Sequence, residues 1–67
     1  MSKRRKIIGA KVRLRVAMQN IGGIAFEKGE IMEIYGSYYG YSLKDGKGRY
    51  ITRVDPKDVE FIKDNEQ

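Results

Sequence analysis

Between Lys11 and Met18 apolar and polar residues alternate one by one. Val12, Leu14, Val16 and Met18 form one set; Lys11, Arg13 and Arg15 form the other. A period of two puts successive side chains on opposite faces of a strand, so the first set is expected to face a core and the second water. The same alternation returns at Met32-Glu33-Ile34, within a strand expected over Glu30–Tyr35 and entered through a turn at Lys28-Gly29. Between these strands, Gln19-Asn20-Ile21-Gly22-Gly23 is a loop signal, since Asn and Gly tolerate positive φ. Ile24 and Phe26 are expected to tuck that loop back onto the core.

After a break at Gly36-Ser37, Tyr38 to Lys44 reads as a third strand, with Tyr41 and Leu43 on one face. Asp45-Gly46-Lys47-Gly48 is a hairpin signal, because Asp-Gly suits turns whose twist matches the flanking strands. Arg49 to Val54 is the fourth strand, rich in β-formers. Pro56 lacks an N–H and fixes φ, so Asp55-Pro56-Lys57-Asp58 cannot extend a ladder; a single 3-10 turn capped by Asp55 is expected there. Val59-Glu60-Phe61-Ile62 is a short closing strand. The expected core is Val12, Leu14, Val16, Met32, Ile34, Leu43, Val54, Val59 and Phe61. The organisation read from this pattern is a basic flexible arm over residues 1–10, one domain over 11–62 and a polar tail over 63–67.

Composition narrows the chemistry. The 67 residues include no Cys and no His. The first absence removes disulfides and thiolate metal sites. The second removes the commonest general base and nitrogen ligand, which argues against most hydrolytic, nucleophilic and transition-metal chemistry. A non-catalytic protein with no cofactor and no metal is expected. No apolar run approaches the roughly 20 residues of a membrane span, and Ile7-Ile8 is too short for a signal-peptide core. A monomeric cytoplasmic protein without a membrane partner is the expectation. A domain of this size buries only about 60% of its chain surface, so its margin of stability is narrow.

The net charge of +5 is unevenly placed. Residues 1–15 hold Lys3, Arg4, Arg5, Lys6, Lys11, Arg13 and Arg15 and no acid; the remainder holds seven basic and nine acidic side chains. Such asymmetry suits contact with an acidic partner. Same-side cations on one strand, joined by Arg49 and Arg53 of the fourth, suit phosphate contacts, whose binding energy comes largely from counterion release. The bland alternative is a solvated outer face that blocks edge pairing. Tyr35, Tyr38, Tyr39 and Tyr41 crowd one short stretch that so small a core cannot bury entirely; Tyr38 and Tyr39 are the candidates for stacking on bases or anchoring a protein. Glu27, Glu30 and Glu33 match no Ca²⁺ or Mg²⁺ loop spacing. Gly46-Lys47-Gly48 precedes a strand and lacks a following Ser or Thr, so it is a hairpin tip and not a Walker-type loop.

Two segments carry a resemblance. Phe26-Glu27-Lys28-Gly29-Glu30-Ile31-Met32-Glu33-Ile34 resembles the SH3 segment in which the long first loop ends in a Gly-Asp/Glu step and enters the second strand. Asp55-Pro56-Lys57-Asp58-Val59-Glu60-Phe61-Ile62 resembles the SH3 ending, where a polar turn leads into a Val-Glu strand. The resemblance covers about residues 11–62 and implies an all-β, five-stranded SH3-like barrel with a short 3-10 turn before the last strand. It does not extend to the proline-peptide groove of eukaryotic SH3 domains. Val16-Ala17-Met18-Gln19-Asn20 stands where that groove has an Ala-Leu-Tyr-Asp-Tyr-like run, Asp58 stands where it has a tyrosine, and there is no tryptophan. The chain looks more like the small bacterial, phage and ribosomal SH3-like barrels, many of which touch nucleic acid or other proteins. Low-specificity nucleic-acid binding through the basic strand and arm is the leading expectation. The alternative is a protein-interaction module, such as a phage or mobile-element accessory protein, using an exposed tyrosine surface.

Overall fold

The computed structural model describes residues 7–62. The strands are β1 (Lys11–Leu14), β2 (Met18–Gln19), β3 (Ala25–Phe26), β4 (Ile31–Ser37), β5 (Tyr41–Lys44), β6 (Tyr50–Val54) and β7 (Val59–Phe61), with a 3-10 turn at Pro56–Asp58. Five of them form one antiparallel sheet in the order β6-β5-β4-β1-β7, and β2 pairs with β3 as a separate ribbon. The all-β class, the five-stranded sheet and the 3-10 turn before the last strand agree with the pattern in the sequence. Asp55 caps that turn as expected, its carboxylate accepting from the Lys57 amide at 3.0 Å.

The sheet is open, where a closed barrel was expected. Its edges are β6 and β7, which do not pair with each other. The 3-10 turn carries the chain from one to the other, and β7 then pairs with β1. One side-chain link spans from the ribbon to the β6 edge: Asn20 Nδ2 donates to the Tyr50 carbonyl at 2.7 Å. The same side chain holds the ribbon's loop, its Oδ1 accepting from the Gly22 and Ile24 amides at 2.9 Å.

Alternation sets the core. Val12, Leu14, Met32, Ile34, Leu43, Ile51, Val54 and Val59 fill the inner face, and Phe26 enters from the ribbon. Truncating a buried leucine to alanine typically costs about 2–5 kcal/mol, a large share of the total for so small a domain. Val16 and Phe61 depart from the expected core. Alternation stops at Leu14, where the partner chain turns away at Gly29 (φ 93°); a bend at Arg15-Val16 then leaves Val16 43% exposed. Phe26, fully buried, supplies the missing bulk. Phe61 does lie on the inner side, opposite Val12, but on the open edge β7. It is therefore 43% exposed and packs edge-to-face on Tyr41, with ring centroids 6.0 Å apart.

Two bulges bend the sheet. Opposite β5, one residue is inserted in β4 near Tyr35 and one in β6 near Arg53. Such insertions re-aim side chains and sharpen twist. Arg53 takes a left-handed φ of 56° there. The third strand starts at Tyr41 and not at Tyr38, because Tyr39 (φ 54°) and Gly40 (φ 121°) form a tight turn closed by Tyr38 N–H donating to the Gly40 carbonyl at 2.8 Å. Residues 7–10, expected in the arm, pack on the sheet: Gly9 and Ile34 amides donate to the Ile34 and Ala10 carbonyls at 2.7 and 2.9 Å. No helix among the described residues is long and apolar enough to cross a membrane.

Candidate functional site

Strand register builds a row of side chains across the outer face. Lys11 on β1 stands opposite Glu33 on β4, Glu33 opposite Lys44 on β5, and Lys44 opposite Tyr50 on β6. Directly opposed residues share a face of the sheet, so the four lie side by side. Tyr35, two residues beyond Glu33, meets Tyr50 edge-on at 6.3 Å between ring centroids. Arg13, two residues beyond Lys11, stands opposite Ile31 on one side and Glu60 on the other, with its guanidinium 3.9 Å from the Glu60 carboxylate. Both partners of that pair are nearly half exposed, so it contributes about 0–1 kcal/mol and leaves Arg13 available. The outer face thus presents three cations, two carboxylates and two tyrosine rings.

The other cations expected at the site have different surroundings. Arg49 turns inward. Its Nε and Nη2 both reach Asp45 Oδ2 at 2.6 Å, Nη2 lies 3.6 Å from Glu30, and the guanidinium sits 5.1 Å from the centroid of the Phe26 ring. These contacts engage Arg49 at one end of the core and leave 33% of its side chain exposed. Arg15, past the end of β1, donates from Nε to the Val59 carbonyl at 3.1 Å and from its amide to the Asp58 carbonyl at 2.8 Å. Arg53 lies over the Tyr39 ring, 5.9 Å from its centroid, and Tyr39 meets Tyr38 edge-on at 4.5 Å. Tyr38, Tyr39 and Arg53 therefore form a second, separate exposed cluster. Lys3, Arg4, Arg5 and Lys6 lie outside the described residues.

The Asp45 carboxyl is shifted down. Partial burial pushes it up, but the Arg49 and Lys47 amides and the Arg49 guanidinium outweigh that and hold it below its ordinary value of 3.8. The reason is direct: hydrogen bonds to the charged form and a cation in contact both favour the carboxylate. Among the described residues no cluster of three or more carboxylates is placed to hold a metal ion.

Lys44 and Tyr50 escaped the reading of the sequence, although a signal was present. A hairpin closing Asp45 on Arg49 puts Lys44 opposite Tyr50 by counting outward from the turn. Tyr35 belonged to the expected tyrosine cluster, yet its partnership with Tyr50 depends on the β4 bulge, which no periodicity marks. Compared with protein-family models, curated proteins and solved structures, the chain finds no match.

Proposed function

We propose that this chain is a non-catalytic binding module on an SH3-like framework, and that its outer sheet face binds nucleic acid with low sequence specificity. The observation that carries the reading is the registered row Lys11, Glu33, Lys44 and Tyr50, flanked by Arg13 and Tyr35. Cations on a strand face approach phosphates without deforming the sheet, and adjacent aromatic rings offer a surface to bases. The basic residues 3–6 precede β1 in the sequence and add to the positive charge of the chain.

Binding dominated by phosphate contacts weakens with salt, with a log–log slope of roughly −0.9 per phosphate on duplex DNA and about −0.7 on single strands. Replacing Lys11 and Arg13 by Gln is expected to lower that slope by about two contacts while melting stays nearly unchanged, since both side chains face solvent. Fluorescence anisotropy with generic single- and double-stranded oligonucleotides, titrated with salt, measures it. No binding of either at low salt with about 100 μM protein is weaker than ordinary non-specific binders show, and would remove this reading.

A second reading rests on Tyr38 and Tyr39, which are 69% and 75% exposed beside Arg53. Exposed tyrosine with arginine is a composition enriched in protein interfaces, so this tip suits a protein partner.

A further inference from the structure

We infer that the cleft between Tyr35 and Tyr50 is a stacking site for an unpaired base, so that the outer face takes single-stranded nucleic acid in preference to duplex; this rests on the nucleic-acid reading above. Tyr35, Lys44, Gly48 and Tyr50 line a groove of about 420 Å³. The two rings meet at 76°, so they form two walls of the groove and do not stack on each other. They are 40% and 58% exposed. Gly48 contributes no side chain, and a Cβ built there meets nothing within 4 Å. A flat ring therefore enters without displacing a side chain on that side.

Electrostatics point the same way. Glu33 sits between Lys11 and Lys44 in the row, so the three carry one net positive charge. Phosphate contacts are open to single strands and duplex alike, so a preference between them has to come from contact with bases. Paired bases in a duplex have their π faces covered by their neighbours, whereas unpaired bases can be splayed onto aromatic side chains. Lys44, in register with Tyr50, supplies a cation for the phosphate next to the stacked base.

The chain has no tryptophan and five tyrosines, so tyrosine emission reports directly on stacking. The test titrates the intact chain with a short unstructured oligonucleotide, the matching duplex and inorganic polyphosphate. The single strand is expected to bind most tightly and to quench tyrosine emission, with polyphosphate weakest. Tyr35→Leu and Tyr50→Leu keep apolar bulk without a π face. Each is expected to weaken single-strand binding roughly 5- to 150-fold and to leave duplex binding unchanged. Equal affinity of wild type for single strand and duplex overturns the inference even if the variants fail to fold. So do folded Leu variants that retain full single-strand affinity. In both cases a salt-sensitive basic face survives. Binding to none of the three probes removes the nucleic-acid reading itself.

Discussion

At one end of β5, Asp45 gathers the Lys47 and Arg49 amides and the Arg49 guanidinium onto one carboxylate. At the other end, Tyr38 and Tyr39 stand out in solvent, with Arg53 over one ring. The two turns lie about 14 Å apart along one strand. Each has an arginine packed against it that, in the bare sequence, counts equally toward a basic surface. The contrast shows that equal charges in the sequence meet different surroundings in the fold. Arg49 closes the core over Phe26; Arg53 remains at the surface beside an aromatic pair.

The comparison breaks most readily at the tyrosine turn. Gly40 has φ 121°, and a Cβ there lies 2.9 Å from the Arg53 carbonyl carbon and the Val54 oxygen. A side chain meets both backbone strain and a backbone that cannot yield. Gly40→Ala is expected to destabilise the domain by about 2–3 kcal/mol, lowering the melting temperature by roughly 10 °C or more. Gly46→Ala, in the opposite turn with nothing within 4 Å of its Cβ, is expected to stay within about 0.5 kcal/mol. Thermal melts of the two variants decide it, and equal effects would erase the asymmetry.

Acid sharpens the contrast at the charged turn. Asp45 is held below its ordinary value of 3.8 in the fold, so it contributes stability above that pH. That contribution is lost as pH falls through the depressed value. Asp45→Asn is expected to melt below wild type at neutral pH, with the gap closing as pH drops below about 4. A gap independent of pH would detach Asp45 from the acid response. The smallest effect on stability belongs to Tyr38→Ala and Tyr39→Ala, each expected within about 0.5 kcal/mol by thermal melting, while any protein captured by the wild type is lost. Unfolding of both would make the tip part of the core and leave the protein-interaction reading without support.

Elements with strict alternation or hard punctuation were legible in the sequence. Val12 and Leu14, Met32 and Ile34, the Asp45–Gly48 turn and the Asp55-capped 3-10 turn each follow from a local rule. What escaped depends on contacts distant in sequence. Val16 continues the pattern of its strand, but Gly29 ends the ladder beside Leu14 and the chain bends. Phe61 has the right parity and lies on the wrong strand to be covered. The positive φ in the charged turn falls on Gly48 and not on Gly46, so Asp45 braces the turn from its base and does not sit at the tip. The face that unites Lys11, Lys44, Tyr35 and Tyr50 needs the register of four strands at once, which no single segment encodes.

The left-handed residue in β6 also interrupts an open edge of the sheet. A sheet left open at β6 offers a second chain a rim to which it could add a strand. Arg53 breaks that rim after three residues, because a bulge twists the backbone out of the plane a partner strand would need. The insertion also hangs a cation at the break, and two copies meeting there would bring like charges together. The open edge of this small sheet is thus interrupted at a single backbone torsion.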